Sequence, residues 1–228
     1  MAIYARATAF ITGAAGFLGT ELIRILVARG HHVLGLAESA QAAEVVRDAG
    51  AVPVMGRLLE PGQWQDEAAA DWVFHLSPHP FAGRRVTRRR AASITRGRVV
   101  MDRHLLDVLA SGAARRIVYV ADASCYGEMG PRPITEDEPA RPSNWGRCHT
   151  PALDRLDGYV IAGLPIVTAL PGWVYGNGLW FRERVLDPLM DGRRVLQLGC
   201  AGPWVSPIHV EDCARALVHL AEHGGPGG

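Results

Sequence analysis

Residues 10–19 read Phe10-Ile11-Thr12-Gly13-Ala14-Ala15-Gly16-Phe17-Leu18-Gly19, with glycines in a G-x-x-G-x-x-G pattern. An apolar run precedes this segment and an amphipathic one follows it, which predicts a strand, a glycine turn and a helix. Gly13 allows the tight turn, Gly16 lets the backbone approach a pyrophosphate, and Gly19 lets the helix pack close to the sheet. The helix N-terminus also favours an anion. The alternative is a glycine turn that binds nothing.

Composition narrows the class of protein. The chain has 228 residues, is 48% hydrophobic and carries a formal net charge of +1. This favours one large domain, or one domain with a small lobe, and gives no general attraction to nucleic acid or membrane. The N-terminal residues run straight into the first strand, so we expect no signal peptide. The chain has four cysteines, which are Cys125, Cys148, Cys200 and Cys213. They are scattered and lack the spacing of metal ligands, which favours a reduced, cytoplasmic protein that binds no metal.

Apolar strand patterns alternate with helical patterns along the whole chain. This predicts an α/β fold with a doubly wound, Rossmann-like parallel sheet and helices on both faces. Ligands are expected at the carboxyl ends of its strands. We expect a single domain over 1–228, with a soft boundary near 176 and a small substrate-side lobe over 177–228. The predicted elements include helices over 99–110 and 145–162 and strands over 72–76, 116–121 and 165–170.

Several motifs together resemble the NAD-dependent epimerase/dehydratase branch of the extended short-chain dehydrogenase/reductase superfamily. The resemblance covers nearly the whole chain and implies an NAD(P)-binding fold. Family members usually continue further, so part of the usual substrate lobe is expected to be missing. The motifs are residues 12–19, Asp71 to Leu76, Val118 to Val120 with Tyr126-Gly127, Pro171 to Gly176, and Trp204 to Asp212.

The same resemblance shows that the catalytic residues of the family are replaced. Asp122 stands where the family has its catalytic serine or threonine. The family's Tyr-x-x-x-Lys motif aligns with Trp145-Gly146-Arg147-Cys148-His149, and the chain contains no lysine at all. In the family, the tyrosine is the general acid/base and the lysine lowers its pKa. Since an indole N–H only donates, Trp145 cannot shuttle a proton, and the usual hydride-transfer mechanism is expected to be absent.

Asp122 and His149 are the candidate acid/base pair, with Trp145 as an apolar wall of the same pocket. Burial and mutual charge can tune both pKa values toward neutrality. This predicts a non-redox reaction, such as isomerisation, cyclisation or elimination, on a small organic substrate. Two alternatives stay open: a reductase or epimerase with substituted catalytic groups, and a catalytically silent nucleotide-binding sensor. Asp122 can also simply cap a turn, and His149 can be a structural helix residue.

The cofactor prediction rests on residues at the ends of the first strands. Glu38 favours NAD, because a carboxylate accepts hydrogen bonds from a ribose diol and repels a 2′-phosphate. Arg57 argues for NADP if it reaches the ribose, and the dinucleotide can also have been lost. The expected contacts of the cofactor are Gly13, Ala15, Gly16, Phe17, Leu18, Gly19, Glu38, Arg57 and Leu76.

An arginine run is the other unusual feature of the sequence. It is interpreted as a solvated face, with a lid that grips an anionic substrate as the alternative. Nucleic-acid binding is disfavoured because no recognisable module is present. His75 and His209 are interpreted as structural. His79 is interpreted as a surface-loop residue, with a place in the lining of the pocket as the alternative. A homodimer is conceivable from the resemblance alone. The run comprises Arg84, Arg85, Arg88, Arg89, Arg90, Arg96 and Arg98.

Overall fold

The computed structural model describes residues 6–76, 87–112, 114–142, 146–178, 181–194 and 204–225. Six strands of this part form one sheet in which all neighbours pair in parallel. They are β1 (Thr8–Thr12), β2 (His32–Ala37), β3 (Val52–Met55), β4 (Trp72–Leu76), β5 (Arg116–Val120) and β6 (Ile166–Ala169). Their order across the sheet is β3-β2-β1-β4-β5-β6. This order confirms the predicted Rossmann-like α/β fold.

Helices cover both faces of this sheet. A core on one face joins the sheet to α1, α2 and α7, and a core on the other joins it to α3, α4 and α5. Because both faces are buried, the strands carry continuous apolar runs rather than alternating ones. The helices are α1 (Phe17–Ala28), α2 (Ala40–Asp48), α3 (Trp64–Glu67), α4 (Arg88–Leu109), α5 (Thr150–Ile161), α6 (Asp187–Met190) and α7 (Val210–His223).

Short irregular elements complete the described chain. Two 3₁₀ turns span Ala123–Tyr126 and Gly146–Cys148, and a π-helical turn spans Arg182–Leu186. A separate parallel pair joins β7 (Trp173–Tyr175) to β8 (Pro207–His209). The division of the chain near 176 into a main domain and a small lobe stays a prediction.

The order of the strands places the candidate site. The chain continues to one side of β1 through β2 and to the other side through β4, so the sheet has its topological switch point between β1 and β4. There Thr12 pairs with His75, and the carboxyl end of β5 lies beside that of β4. A crevice outside these strand ends is where open α/β sheets bind ligands.

Two predicted helix boundaries are wrong. The helix predicted over 145–162 begins only at Thr150, after the 3₁₀ turn Gly146–Cys148. The helix predicted over 99–110 begins earlier, at Arg88, and ends at Leu109. The first difference changes the position of His149, which lies at the start of α5 rather than inside it.

Candidate active site

The glycine loop has a geometry that only glycine permits. Gly13 has a φ of +66°, and a Cβ atom there would lie 2.5 Å from the carbonyl oxygen of Leu76. A Cβ atom on Gly19 would lie 2.3 Å from the Gly13 oxygen and 2.7 Å from the Ala14 oxygen. Neither position has room for a side chain, because the loop packs directly against the end of β4 at Gly13 and against the first turn of α1 at Gly19.

The N-terminus of α1 opens toward the same crevice. Gly16 is the N-cap with an extended backbone, no side chain caps the helix, and its first turn contains no acid. The amide of Gly16 donates to the Gly13 oxygen at 3.0 Å. The first helical amides therefore keep the positive dipole end that attracts an anion. Ala15, Phe17 and Leu18, the other predicted contacts, flank this cap in sequence.

Glu38 and Arg57 follow neighbouring strands of the sheet. Ala37, the last residue of β2, is in register with Met55, the last residue of β3, and its oxygen accepts the Gly56 amide at 3.0 Å. Glu38 and Arg57 are both exposed. The guanidinium of Arg57 lies 3.5 Å from the carboxylate of Glu60. The two predicted ribose contacts thus lie at the same edge of the sheet, and neither cofactor is favoured by their geometry.

Asp122 follows β5 and caps the 3₁₀ turn Ala123–Tyr126. Its Oδ1 accepts the Ser124 amide at 2.7 Å, and its side chain is half-buried. The capping interaction fixes the carboxylate at the carboxyl end of β5, where ligands bind in this fold. Capping and chemistry are therefore compatible at this residue.

Gly146 lets the segment that carries His149 pack beside the turn that follows Asp122. A Cβ atom on Gly146 would lie 2.0 Å from the Ser124 oxygen, so the two 3₁₀ turns touch through their backbones. The next turn of the chain carries His149, which is 5% exposed and is the N-cap residue of α5. Trp145, the third predicted residue, lies outside the described residues.

Burial sets the protonation state of His149. It lowers the pKa of this imidazole, the negative charge of Asp122 acts to raise it, and the positive charge of Arg98 lowers it further. The net effect is a pKa below the ordinary value of 6.5, so the imidazole is neutral at pH 7. A neutral imidazole under the influence of a carboxylate can serve as a general base.

The close contact at Gly146 gives a test with a built-in control. Gly146→Ala should destabilise the protein by about 2 kcal/mol or more, because the new methyl group meets fixed backbone. Gly158→Ala, in the exposed face of α5 with no atom near its Cβ position, should stabilise it by about 0.5–1 kcal/mol. Urea unfolding of both variants measures the difference, and equal effects would contradict the described contact.

A buried charge network lies beneath this pocket. Arg98 and Asp102, one turn apart on α4, are 4% and 6% exposed. The Arg98 Nε donates to Oδ1 of Asp102 and to the Tyr119 hydroxyl, each at 2.8 Å, and the Tyr119 hydroxyl donates to Oδ2 of Asp102 at 2.8 Å. Arg98 also donates to the carbonyl of Val120 at 3.1 Å, at the end of the strand that leads to Asp122.

The network continues to the glycine loop. Nε2 of His75 lies 2.8 Å from Oδ1 of Asp102, and its Nδ1 lies 2.8 Å from the Thr12 hydroxyl. Burial lowers the pKa of His75. Burial also acts to raise the pKa of Asp102, but the hydrogen bond with His75 and the charge of Arg98 outweigh it, so the net shift is downward. Asp102 is thus a buried carboxylate paired with the Arg98 cation.

The solvated-face interpretation of the arginine run is wrong for Arg98. Arg89 and Arg96 are exposed, as that interpretation expects, and Arg84 and Arg85 lie outside the described residues. The prediction missed that Arg98 shares a helical face with Asp102, Leu105 and Leu109, all of which are buried. The sequence did contain a signal for this burial, because Arg98 and Asp102 lie at helical spacing on the same face as apolar residues.

The structure describes two of the three other histidines that the sequence analysis considered. His75 is fully buried and hydrogen-bonded on both sides, as a structural residue would be. His209 is the N-cap of α7, where its Nδ1 accepts the Glu211 amide at 3.4 Å, and its ring packs on Tyr175. His79 lies outside the described residues.

Comparison with known proteins decides the family. The profile of the NAD dependent epimerase/dehydratase family matches residues 9–228. The chain belongs to this family. The match agrees with the strand order and the glycine loop, and it confirms the resemblance drawn from the motifs.

Curated relatives include both reductases and epimerases. The chain is 25% identical, over 96% of its length, to a 4-hydroxy-2-methyl-3-oxo-4-farnesyl-3,4-dihydroquinoline-1-oxide ketoreductase from Stigmatella aurantiaca, and it spans 65% of that protein. It is 28% identical, over 93% of its length, to a UDP-glucose 4-epimerase from Corynebacterium glutamicum, and it spans 70% of that protein. The chain thus spans about two thirds of the length of these relatives.

Solved structures of this family share the fold. A UDP-glucuronic acid 4-epimerase from Bacillus cereus, in complex with UDP-glucuronic acid and NAD, superposes with a TM-score of 0.81 at 19% identity, over 96% of this chain and 74% of that one. The dTDP-glucose 4,6-dehydratase DesIV from Streptomyces venezuelae, with NAD and TYD bound, gives 0.80 at 19% identity, over 96% and 73%. Both neighbours hold NAD.

Among the described residues, no helix combines the length and the apolar character that crossing a bilayer requires.

Proposed function

We propose that this family member binds a nicotinamide dinucleotide and catalyses proton-transfer chemistry on a small organic substrate. His149 acts as the base and Asp122 as its partner. The observation that carries the proposal is a buried, neutral imidazole within electrostatic reach of a carboxylate at the carboxyl end of β5. Isomerisation, cyclisation and elimination are the reactions that such a pair can perform.

The glycine loop fits a dinucleotide. Side chains are excluded at Gly13 and Gly19, and the uncapped first turn of α1 presents amides to an anion. Gly13 to Gly19 would hold the pyrophosphate, Glu38 or Arg57 the adenine ribose, and Leu76 one wall of the pocket. When bound, the nicotinamide supplies a hydride donor or acceptor. NAD is our preferred cofactor, since NAD is present in the solved neighbours.

The protein's own residues would carry the proton. The neutral His149 imidazole accepts a proton from the substrate, and the Asp122 carboxylate stabilises the imidazolium that forms. The cap from Ser124 holds that carboxylate in place. Arg98 acts against the imidazolium, which keeps His149 deprotonated between turnovers. We also propose that the substrate is anionic and that the protein is cytoplasmic. The thiols of Cys125, Cys148 and Cys213 are free and buried, which fits the reducing conditions of the cytoplasm.

A reductase or epimerase is the second candidate. The curated relatives favour it, because they include the ketoreductase and the epimerase above and a 3-diazoavenalumate denitrifying reductase from a Streptomyces species at 28% identity. A substrate panel in D₂O separates the two. Proton transfer places deuterium on carbon without changing NADH absorbance, net reduction consumes NADH, and epimerisation by internal return of a hydride does neither. Tight dinucleotide binding without turnover would favour a silent sensor.

Dinucleotide binding can be tested at Gly16 with two variants that carry the same Cβ atom. Gly16 is an N-cap in extended conformation, which suits aspartate and serine, but a Cβ atom there would lie 3.0 Å from the Gly13 oxygen, so both variants should lose a similar, small amount of stability in urea unfolding. The aspartate carboxylate would repel the pyrophosphate, and a repulsion of about 3 kcal/mol weakens binding about 100-fold. Gly16→Ser is the matched variant, with a cap but no charge. Calorimetry with NAD, NADH, NADP and NADPH measures the affinities.

The outcomes of this titration are distinct. Binding by the native chain, a moderate loss in Gly16→Ser and a much larger loss in Gly16→Asp would support the site. No heat with any of the four dinucleotides, or equal binding by the two variants, would overturn it.

A further inference from the structure

The last two turns of α7 bring together three metal-ligating side chains. They are His219, Glu222 and His223, and one ligand atom of each lies within 4.8 Å of the others. Spacings of three and four residues place them on one face of the helix. The two imidazole rings stack with their centroids 4.4 Å apart. Ligand atoms that share one zinc ion lie about 3–3.5 Å apart, so these side chains would have to move closer together around an ion.

The surroundings favour a cation at this position. His223 is the last residue of α7, where the helix dipole places its negative end. Nδ1 of His223 lies 3.3 Å from the carbonyl oxygen of His219. A carbonyl can only accept, so this contact favours the Nδ1–H tautomer and leaves the Nε2 lone pair for a metal. Metal-binding histidines commonly have such a partner.

Glu222 is held in a suitable orientation by a second helix. Its Oε1 accepts from the guanidinium of Arg29, the C-cap of α1, at 2.8 Å. Its Oε2 lies 3.9 Å from Nδ1 of His223. The side chain is only 7% exposed, so its position is restricted by packing. One oxygen therefore anchors the carboxylate to α1, while the other lies on the Nδ1 side of the His223 ring.

We propose that His219, Glu222 and His223 form a site for a divalent transition metal of the zinc class. Two imidazoles and one carboxylate are ligands that zinc prefers, and three protein ligands leave a fourth position for water or another donor. The site lies at the junction of α7 with α1. Its occupation would tie the end of α7 to the helix that begins at the glycine loop.

Zinc titration of the tag-free chain tests this site. We expect one zinc ion per chain, with a dissociation constant in the micromolar range and a rise in melting temperature that depends on zinc concentration. His219→Ala and His223→Ala should each weaken binding about tenfold or more, and the double variant should abolish it. Magnesium and calcium should not compete, because they prefer oxygen ligands.

Two controls keep the result interpretable. His32→Ala removes an exposed histidine on β2 and should leave zinc binding unchanged. Glu222→Gln retains the hydrogen bond to Arg29 while removing the negative charge, so it should weaken binding without unfolding the helix. Absence of saturable binding, or binding that survives the double histidine variant and therefore lies elsewhere, for instance on the cysteines, would overturn the proposal.

Discussion

Asp102→Ala is expected to destabilise the protein by about 3–5 kcal/mol, because it leaves buried partners without their anion. The Arg98 guanidinium loses an ion pair at 2.8 Å, and the Tyr119 hydroxyl and His75 Nε2 lose their acceptor. All three groups are buried, so water cannot replace the lost contacts. Urea unfolding followed by circular dichroism measures the change.

Two further variants on α4 serve as comparisons for Asp102→Ala. Arg103→Ala, one residue further on and exposed, should change the free energy of unfolding by no more than about 0.5 kcal/mol. Asp102→Asn keeps the shape and one acceptor oxygen, so its effect should lie between the two. A loss of less than about 1 kcal/mol in Asp102→Ala would mean that the network does not hold α4 to β4 and β5.

His149→Ala is expected to lower kcat about 100- to 10,000-fold in the activity that the substrate panel identifies, since a general base contributes about that much. The direction in which the activity of the native chain changes with pH also follows from the lowered pKa of His149. Because the pKa of His149 lies below 6.5, kcat/KM should stay level near neutrality and fall only as the pH drops through that lowered value.

Asp122→Asn separates charge from structure at the same site. Asparagine caps a turn as well as aspartate does, so the Ser124 contact should persist. The variant removes the charge that raises the pKa of His149, so the acidic limb of the profile should move to lower pH, with reduced kcat. His32→Ala serves as the unaffected control. An unchanged profile and rate in Asp122→Asn would remove Asp122 from the chemistry.

The sequence alone predicted the α/β architecture, because each strand, turn and helix has a recognisable local sequence pattern. The glycine spacing, the apolar strand runs and the turn residues each predict their own element, and β4 agrees with its predicted bounds at both ends. The start of α5 was not predictable in this way. The Gly146–Cys148 turn forms because Gly146 packs on the Ser124 backbone, a contact between segments distant in sequence.

The site was only partly accessible to sequence reasoning. Alignment with family motifs predicted Asp122 and His149 as a pair, and the charge of Asp122 does act on the pKa of His149. Their catalytic role stays a prediction. Arg98 and Asp102 were missed because their significance depends on Tyr119 and Val120, which approach from another element. The His219 group was missed because its spacing becomes a cluster only on a helix.

The imidazole titration of His149, followed by NMR in the native chain and in Asp122→Asn, decides whether these two residues form an acid/base pair. We expect a midpoint below 6.5 in the native chain, because burial disfavours the charged imidazole. We expect a lower midpoint still in Asp122→Asn, because the opposing charge is gone. A native midpoint at or above 6.5, or one that Asp122→Asn leaves in place, would contradict an acid/base pair at this site.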